Sequence, residues 1–216
     1  RYVVVTAPTA YPTFYIDENG VQQMVLAKRL AEQPVTYSYI SLGEIDNPDT
    51  FWYVVSGDVI LNNRIIIYGD VRIILADGAT LTIGTLESPF SETCIYGPRY
   101  NSSLRIYSQS EGTGAMSLCS STGYAIGFGN SSCPFCFYGG SLSAHSTGNN
   151  AISSSGLYFG GGHLSFTTDK YGGRAIYFSH YASITLCGRR EGDSFFAGGY
   201  YYSDYNVNIV PGKSFM

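Results

Sequence analysis

From Gly112 to Thr168 the chain runs for 57 residues without one Asp, Glu, Lys or Arg. A surface helix needs a polar or charged face repeating every 3.6 residues, and this stretch has no such period. It holds short apolar pairs set among Gly, Ser, Thr and Asn, the pattern of short strands joined by tight turns. The rest of the chain agrees: only 13% of its 216 residues are charged, about half the usual share. The apolar share of 44% is ordinary and excludes intrinsic disorder.

Internal repetition narrows the fold. Ala-Ile recurs at Ala125-Ile126, Ala151-Ile152 and Ala175-Ile176, and an apolar-Ser step recurs at Met116-Ser117, Leu142-Ser143 and Leu164-Ser165. Gly139-Gly140-Ser141 and Gly160-Gly161-Gly162 precede two of these steps. Earlier, Gly57-Asp58-Val59 returns as Gly69-Asp70-Val71, and Val59 stands 24 residues before Ile83. The leucine-rich repeat frame, which has a similar period, is absent. A rung of three short strands and three turns consumes about this many residues at roughly 3.3 Å per strand residue. Each strand would then pair with its equivalent one rung away. The expectation is an all-β protein whose body is a single-stranded parallel β-helix of about six rungs over residues 51–216.

Residues 1–50 read differently. Phe14-Tyr15-Ile16 and Val21–Val25 flank Asp17-Glu18-Asn19-Gly20, and Asn-Gly is a strong hairpin turn. A hairpin is preferred to an amphipathic helix over Val21–Glu32. Its expected role is a short N-terminal cap over the first rung, whose open edge would otherwise template aggregation.

Trp52-Tyr53-Val54-Val55, Gly69-Asp70-Val71, Leu75-Ala76-Asp77-Gly78-Ala79-Thr80-Leu81-Thr82 and Leu104–Ser110 with Gly112-Thr113-Gly114 resemble blocks of uncharacterised surface or secreted repeat proteins of anaerobic gut bacteria. The likeness is close over about residues 50–115 and loose beyond. Ala125-Ile126-Gly127 only partly matches that group's usual Ala-Gly-Ile-Gly-Gly repeats. The resemblance implies an exported right-handed parallel β-helix, extracellular or on the cell surface, within a larger chain. It implies no activity and no functional residue.

Charge limits the partners. Net charge is −4, so no basic surface is offered to nucleic acid phosphates. No apolar run is long enough for a membrane-spanning helix, so no membrane insertion is expected. The chain starts at Arg1 without a recognisable leader and reads as a mature or trimmed form.

Cys133-Pro134-Phe135-Cys136 has the form of a thiol–disulfide exchange motif. That chemistry wants a helix N-terminus, and Phe137-Tyr138-Gly139-Gly140 does not start one. The other cysteines, Cys94, Cys119 and Cys187, and His145 stand at spacings unsuited to zinc. No metal or cofactor is expected.

Many β-helix proteins cleave polysaccharides. Such cleavage needs paired carboxylates, and no Asp-Asp pair occurs. The densest polar cluster is Asp169, Lys170, Arg174, His180, Arg189 and Asp193. A lyase or hydrolase would need Lys170, Arg174, Arg189 and Asp193 to converge.

Tyrosine is the stronger lead, with 20 copies. Tyr200, Tyr201, Tyr202 and Tyr205 crowd the C-terminal region, and Tyr recurs before them at Tyr96, Tyr100, Tyr107, Tyr124, Tyr138, Tyr158, Tyr171, Tyr177 and Tyr181. Exposed phenol rings suit sugar rings or a protein surface. The reading is therefore a non-catalytic module that binds a glycan or a surface protein through Tyr-rich faces. A structural stalk or adhesin spacer is the first alternative, and a lyase or hydrolase the second.

Overall fold

The structure is a computed structural model that describes residues 9–30, 39–128, 135–171, 173–178, 184–187, 192–198 and 207–209. Among these residues every regular element is a strand. The first seven are β1 (Ala10–Ile16), β2 (Gln22–Leu30), β3 (Tyr39–Gly43), β4 (Thr50–Val55), β5 (Asp58–Leu61), β6 (Arg64–Tyr68) and β7 (Asp70–Leu75). Next come β8 (Thr80–Ile83), β9 (Ile95–Gly97), β10 (Ser103–Ser108), β11 (Ala115–Ser120), β12 (Ile126–Phe128), β13 (Phe135–Phe137) and β14 (Ser141–Ser146). The last are β15 (Ile152–Ser154), β16 (Leu157–Phe159), β17 (His163–Thr168), β18 (Ile176–Phe178), β19 (Ile184–Leu186), β20 (Ser194–Gly198) and β21 (Val207–Ile209).

These strands are dealt in rotation among three sheets. A nine-stranded sheet runs β1-β2-β4-β7-β10-β13-β16-β19-β21, and two six-stranded sheets run β5-β8-β11-β14-β17-β20 and β3-β6-β9-β12-β15-β18. From β3 to β17 each strand pairs in parallel with the strand three places on, and β19 pairs in parallel with β21. Only β1 and β2 pair antiparallel. The protein is all-β, with parallel sheets dominating.

The sequence repeats are the register of these sheets. Ile126, Ile152 and Ile176 of the Ala-Ile pairs are direct partners, and Ile40, Ile65 and Ile95 continue the same column. All six side chains are buried. Met116, Leu142 and Leu164 of the apolar-Ser steps likewise align, followed by Phe195. Like side chains stacked in parallel register fill the interior without gaps, and each buried isoleucine stabilises the fold by roughly 1.5–3 kcal/mol. Inward residues of all three sheets belong to one hydrophobic cluster.

One register differs from the expected one. Val59 pairs with Leu81, and it is Leu61 that meets Ile83. Gly57-Asp58-Val59 and Gly69-Asp70-Val71 are not copies of one position either, since Asp58 begins β5 and Asp70 begins β7, in different sheets. The next step is also longer than the 24 residues between Val59 and Ile83, because Leu81 pairs with Met116 and residues 84–94 form a bulge in the connection between β8 and β9.

The hairpin turns at Asn19-Gly20, where Gly20 has φ of +80°, a conformation open to glycine. The Asp17 carboxylate fastens the turn by accepting hydrogen bonds from the amides of Asn19 (2.9 Å) and Val21 (2.8 Å). Residues 22–30 are strand, not helix. Lys28, Arg29 and Leu30 pair with Tyr53, Val54 and Val55 and so extend the nine-stranded sheet. The rest of the hairpin lies back across that sheet's outer face, where Ala27, Tyr15 and Val25 pack with Val54, Ile74, Trp52 and Tyr107. Because β3 pairs with β6 residue for residue, packing runs through position 50 without a break.

Candidate functional site

On the outer face of the nine-stranded sheet, five aromatic rings form a continuous stack. Tyr15 of β1 meets Trp52 of β4 at 4.6 Å and Tyr107 of β10 at 5.1 Å between centroids. Tyr107 stacks on Tyr138 at 4.9 Å, and Tyr138 meets Tyr158 at 5.3 Å. The cause is parity. Ile106 and Phe137 point into the core, so the next residues, Tyr107 and Tyr138, point out. Arg72 lies 5.1 Å from the Trp52 ring centre and donates to Asp70 from Nε and a terminal nitrogen, at 3.1 and 2.9 Å. Burial raises Tyr107 from the ordinary tyrosine value to about 12 and raises Tyr138 as well. Both phenols are neutral at physiological pH.

A groove of about 440 Å³ opens at the far end of this stack. Tyr138 forms one wall and the hairpin tip, Asn19 and Gly20, overhangs it. Its floor is backbone: Gly139-Gly140 and Gly160-Gly161-Gly162, the two glycine links visible in the repeat pattern. Close stacking explains the glycines. Gly162 has φ of +87°, and a Cβ there would stand 2.4 Å from the Gly140 carbonyl oxygen. Gly114, Gly140 and Gly162 occupy one column, each carbonyl accepting from the strand residue of the next repeat. Asp193 follows in that column where the earlier repeats have glycine, and its carboxylate accepts from the Gly162 amide at 2.8 Å. Glu111 and His163 complete the polar rim, His163 sharing a 2.9 Å hydrogen bond with the Ser194 hydroxyl. A tyrosine wall, a floor of peptide groups and flanking carboxylates can take up hydroxyl-bearing rings.

Of the residues expected at a site, the structure brings only Asp193 to this groove. Tyr171 is 98% exposed, and Tyr177 on β18 faces Arg174, 5.7 Å from its ring centre. Asp169 and Lys170 follow the C-terminal end of β17, whereas Asp193 lies beside its N-terminal end. Six strand residues at about 3.3 Å each put about 20 Å between them, so Lys170 and Asp193 do not share a cleft. The Arg174 amide donates to the Asn150 side chain at 2.7 Å. Tyr200, Tyr201, Tyr202, Tyr205, His180 and Arg189 lie outside the described residues, as does Cys133.

Cys119, His145 and Thr167 are successive partners across one sheet, and His145 reaches Asp169 at 3.1 Å. This is not a nucleophilic triad. The other ring nitrogen of His145 is taken by Thr167 at 2.7 Å, and burial, then Asp169, raise the Cys119 thiol above its ordinary value. Cys136 sits within strand β13, not at a helix start. Among the described residues no three His, Cys, Asp or Glu side chains gather as a metal site, and no helix is long and apolar enough to cross a membrane.

Comparison of the chain with protein-family models, with curated proteins and with solved structures finds no match.

Proposed function

We propose that this chain is a non-catalytic, exported module that binds a glycan at the cell surface, and that its three sheets are the faces of a right-handed parallel β-helix of about six rungs. Pairing of each strand with the third strand onward supports the β-helix, and the resemblance to surface repeat proteins of gut bacteria supports export. One observation carries the binding function: the half-buried Tyr138 ring standing over a glycine floor beside Glu111 and Asp193. An aromatic face beside hydrogen-bonding side chains is how a protein holds a ring that is apolar on its faces and polar at its edges.

The spacer reading has its own observation. Thr82, Ser117, Ser143 and Ser165 align on the outer side of one six-stranded sheet, a plain hydroxyl surface suited to a stalk. The two readings part on a glycan array. The intact protein is expected to bind a defined set of glycans, and Tyr138→Ala to lose them with its fold retained by circular dichroism. A blank array together with a protein captured through the groove would replace the glycan by a protein partner. A blank array with no captured partner would leave the spacer.

A further inference from the structure

The groove beside Tyr138 is one end of a longer trough. A smaller pocket of about 170 Å³ shares Ile16 with it, and a third of about 520 Å³ shares Phe14 and Gln109 with the second. Together they follow the hairpin's β1 flank along the C-terminal ends of β4, β7, β10, β13 and β16, from Ser56 at one end to Asp193 at the other. Four strand-to-strand steps from β4 to β16 and one more to the position of Asp193, each of about 4.8 Å, make this path about 24 Å long. Each section has an aromatic side chain: Tyr11 and Phe14 in the first, Tyr15 in the second, Tyr138 in the third.

Two observations identify what fits. An extended peptide could add to β1 only through its free edge, and that edge is obstructed at two positions. The odd-numbered residues of β1 bond to β2, as the Asp17 amide to Val21 carbonyl contact shows, so Pro12 and Phe14 face outward. Pro12 has no amide hydrogen, and the Phe14 carbonyl already accepts from the Gln109 side chain at 3.2 Å. The trough's charge is the second observation. Among the described residues, Asp77, Glu111 and Asp193 line it and Arg29 stands at one end, so an anionic chain would be repelled along most of its length.

We infer that the trough takes a linear, neutral oligosaccharide lying across the strands, with successive sugar rings on Tyr11, Tyr15 and Tyr138. This rests on the glycan-binding reading and specifies its ligand class. Calorimetric titration with cello-, xylo- and manno-oligosaccharides from disaccharide to octasaccharide tests it, with oligogalacturonates as anionic comparators. For the series that binds, affinity is expected to rise at least about tenfold with length, one aromatic contact of about 1.4 kcal/mol being tenfold. The rise should stop at the oligomer whose extended length is about 24 Å. Tyr11→Ala should reduce affinity for the long oligomer to that of a shorter one and leave the disaccharide unchanged. Binding that does not depend on length, or tighter binding of oligogalacturonates, would overturn the inference while leaving glycan binding standing. If glycans bind on an array only as branched or terminal sugars, the linear trough is likewise excluded. If no glycan binds at all, the underlying reading fails with it.

Discussion

Tyr107 stacks on Tyr138 with ring centroids 4.9 Å apart and planes 20° from parallel. Tyr107 is wholly buried although it points away from the main core, because the hairpin covers it. Tyr138, the next ring, is left half open at the groove. One column of tyrosines thus joins the docking of the hairpin to the wall of the candidate site.

That column makes the protein sensitive to alkali. Burial lifts Tyr107 from 10.0 to about 12. A phenol whose native value lies above its unfolded value stabilises the fold fully below the unfolded value and loses that contribution as pH rises through the native one. Stability should therefore fall as pH passes from 10.0 towards 12. The Tyr107 hydroxyl is also buried, with no partner at full hydrogen-bonding geometry and the Arg105 side chain close by. Tyr107→Phe should leave stability at neutral pH unchanged or improve it by about 1 kcal/mol, and flatten the alkaline loss. Urea unfolding across alkaline pH, with phenolate absorbance, reads both effects.

Asp70 sets the acid limb. Burial by itself would raise its carboxyl, but the Ser103 hydroxyl and then Arg72 outweigh burial and hold it below the ordinary 3.8. A depressed native value adds stability that is complete above 3.8 and is lost as pH falls through the native value. Asp70→Asn should lower stability at neutral pH and make acid unfolding less steep below 3.8. An unchanged acid limb would show that other carboxylates govern it.

The glycine floor can be tested against an open control. Gly162→Ala places a Cβ 2.4 Å from the Gly140 carbonyl in a left-handed backbone, and should cost more than about 2 kcal/mol, the upper end for the conformation alone. Gly78→Ala meets nothing within 4 Å at φ of +71° and should cost only about 1 kcal/mol. Equal losses in urea would mean that the close stacking of the corner is absent.

Much of this architecture was legible in the sequence. The Ala-Ile and apolar-Ser pairs are the strand register itself, because a parallel stack places like residues on like residues. Asn19-Gly20 marked the hairpin for an equally local reason. The step from Leu81 to Met116 was not legible, since the bulge at residues 84–94 lengthens one repeat and counting cannot separate a longer turn from a slipped register. The trough was hidden for a different reason. It exists only because Tyr15 docks on Tyr107, a contact far apart in sequence that leaves no period, and the glycine links looked like turns until the hairpin lay over them. Tyr107 and Tyr138 carried a signal in their position directly after core residues, which weighed less than the dense cluster at Tyr200–Tyr202.

Thiol chemistry offers a check on the interior. Cys94 is fully buried, and burial pushes its thiol up to about 12, whereas Cys187 is half-buried. Since the thiolate is the reactive form, iodoacetamide at mildly alkaline pH should modify Cys187 in the native protein and Cys94 only in denaturant. Mass spectrometry of the labelled peptides gives the order, and rapid native labelling of Cys94 would contradict the packed interior.

The most direct measurement compares two tyrosines on the glycan that the wild-type protein binds best. Tyr138 stands in the groove and Tyr171 is 98% exposed away from it. With binding isotherms of both alanine variants, the glycan-trough account predicts a loss of about tenfold or more for Tyr138→Ala and no change for Tyr171→Ala. Undiminished binding by Tyr138→Ala, with loss in Tyr171→Ala, would contradict it.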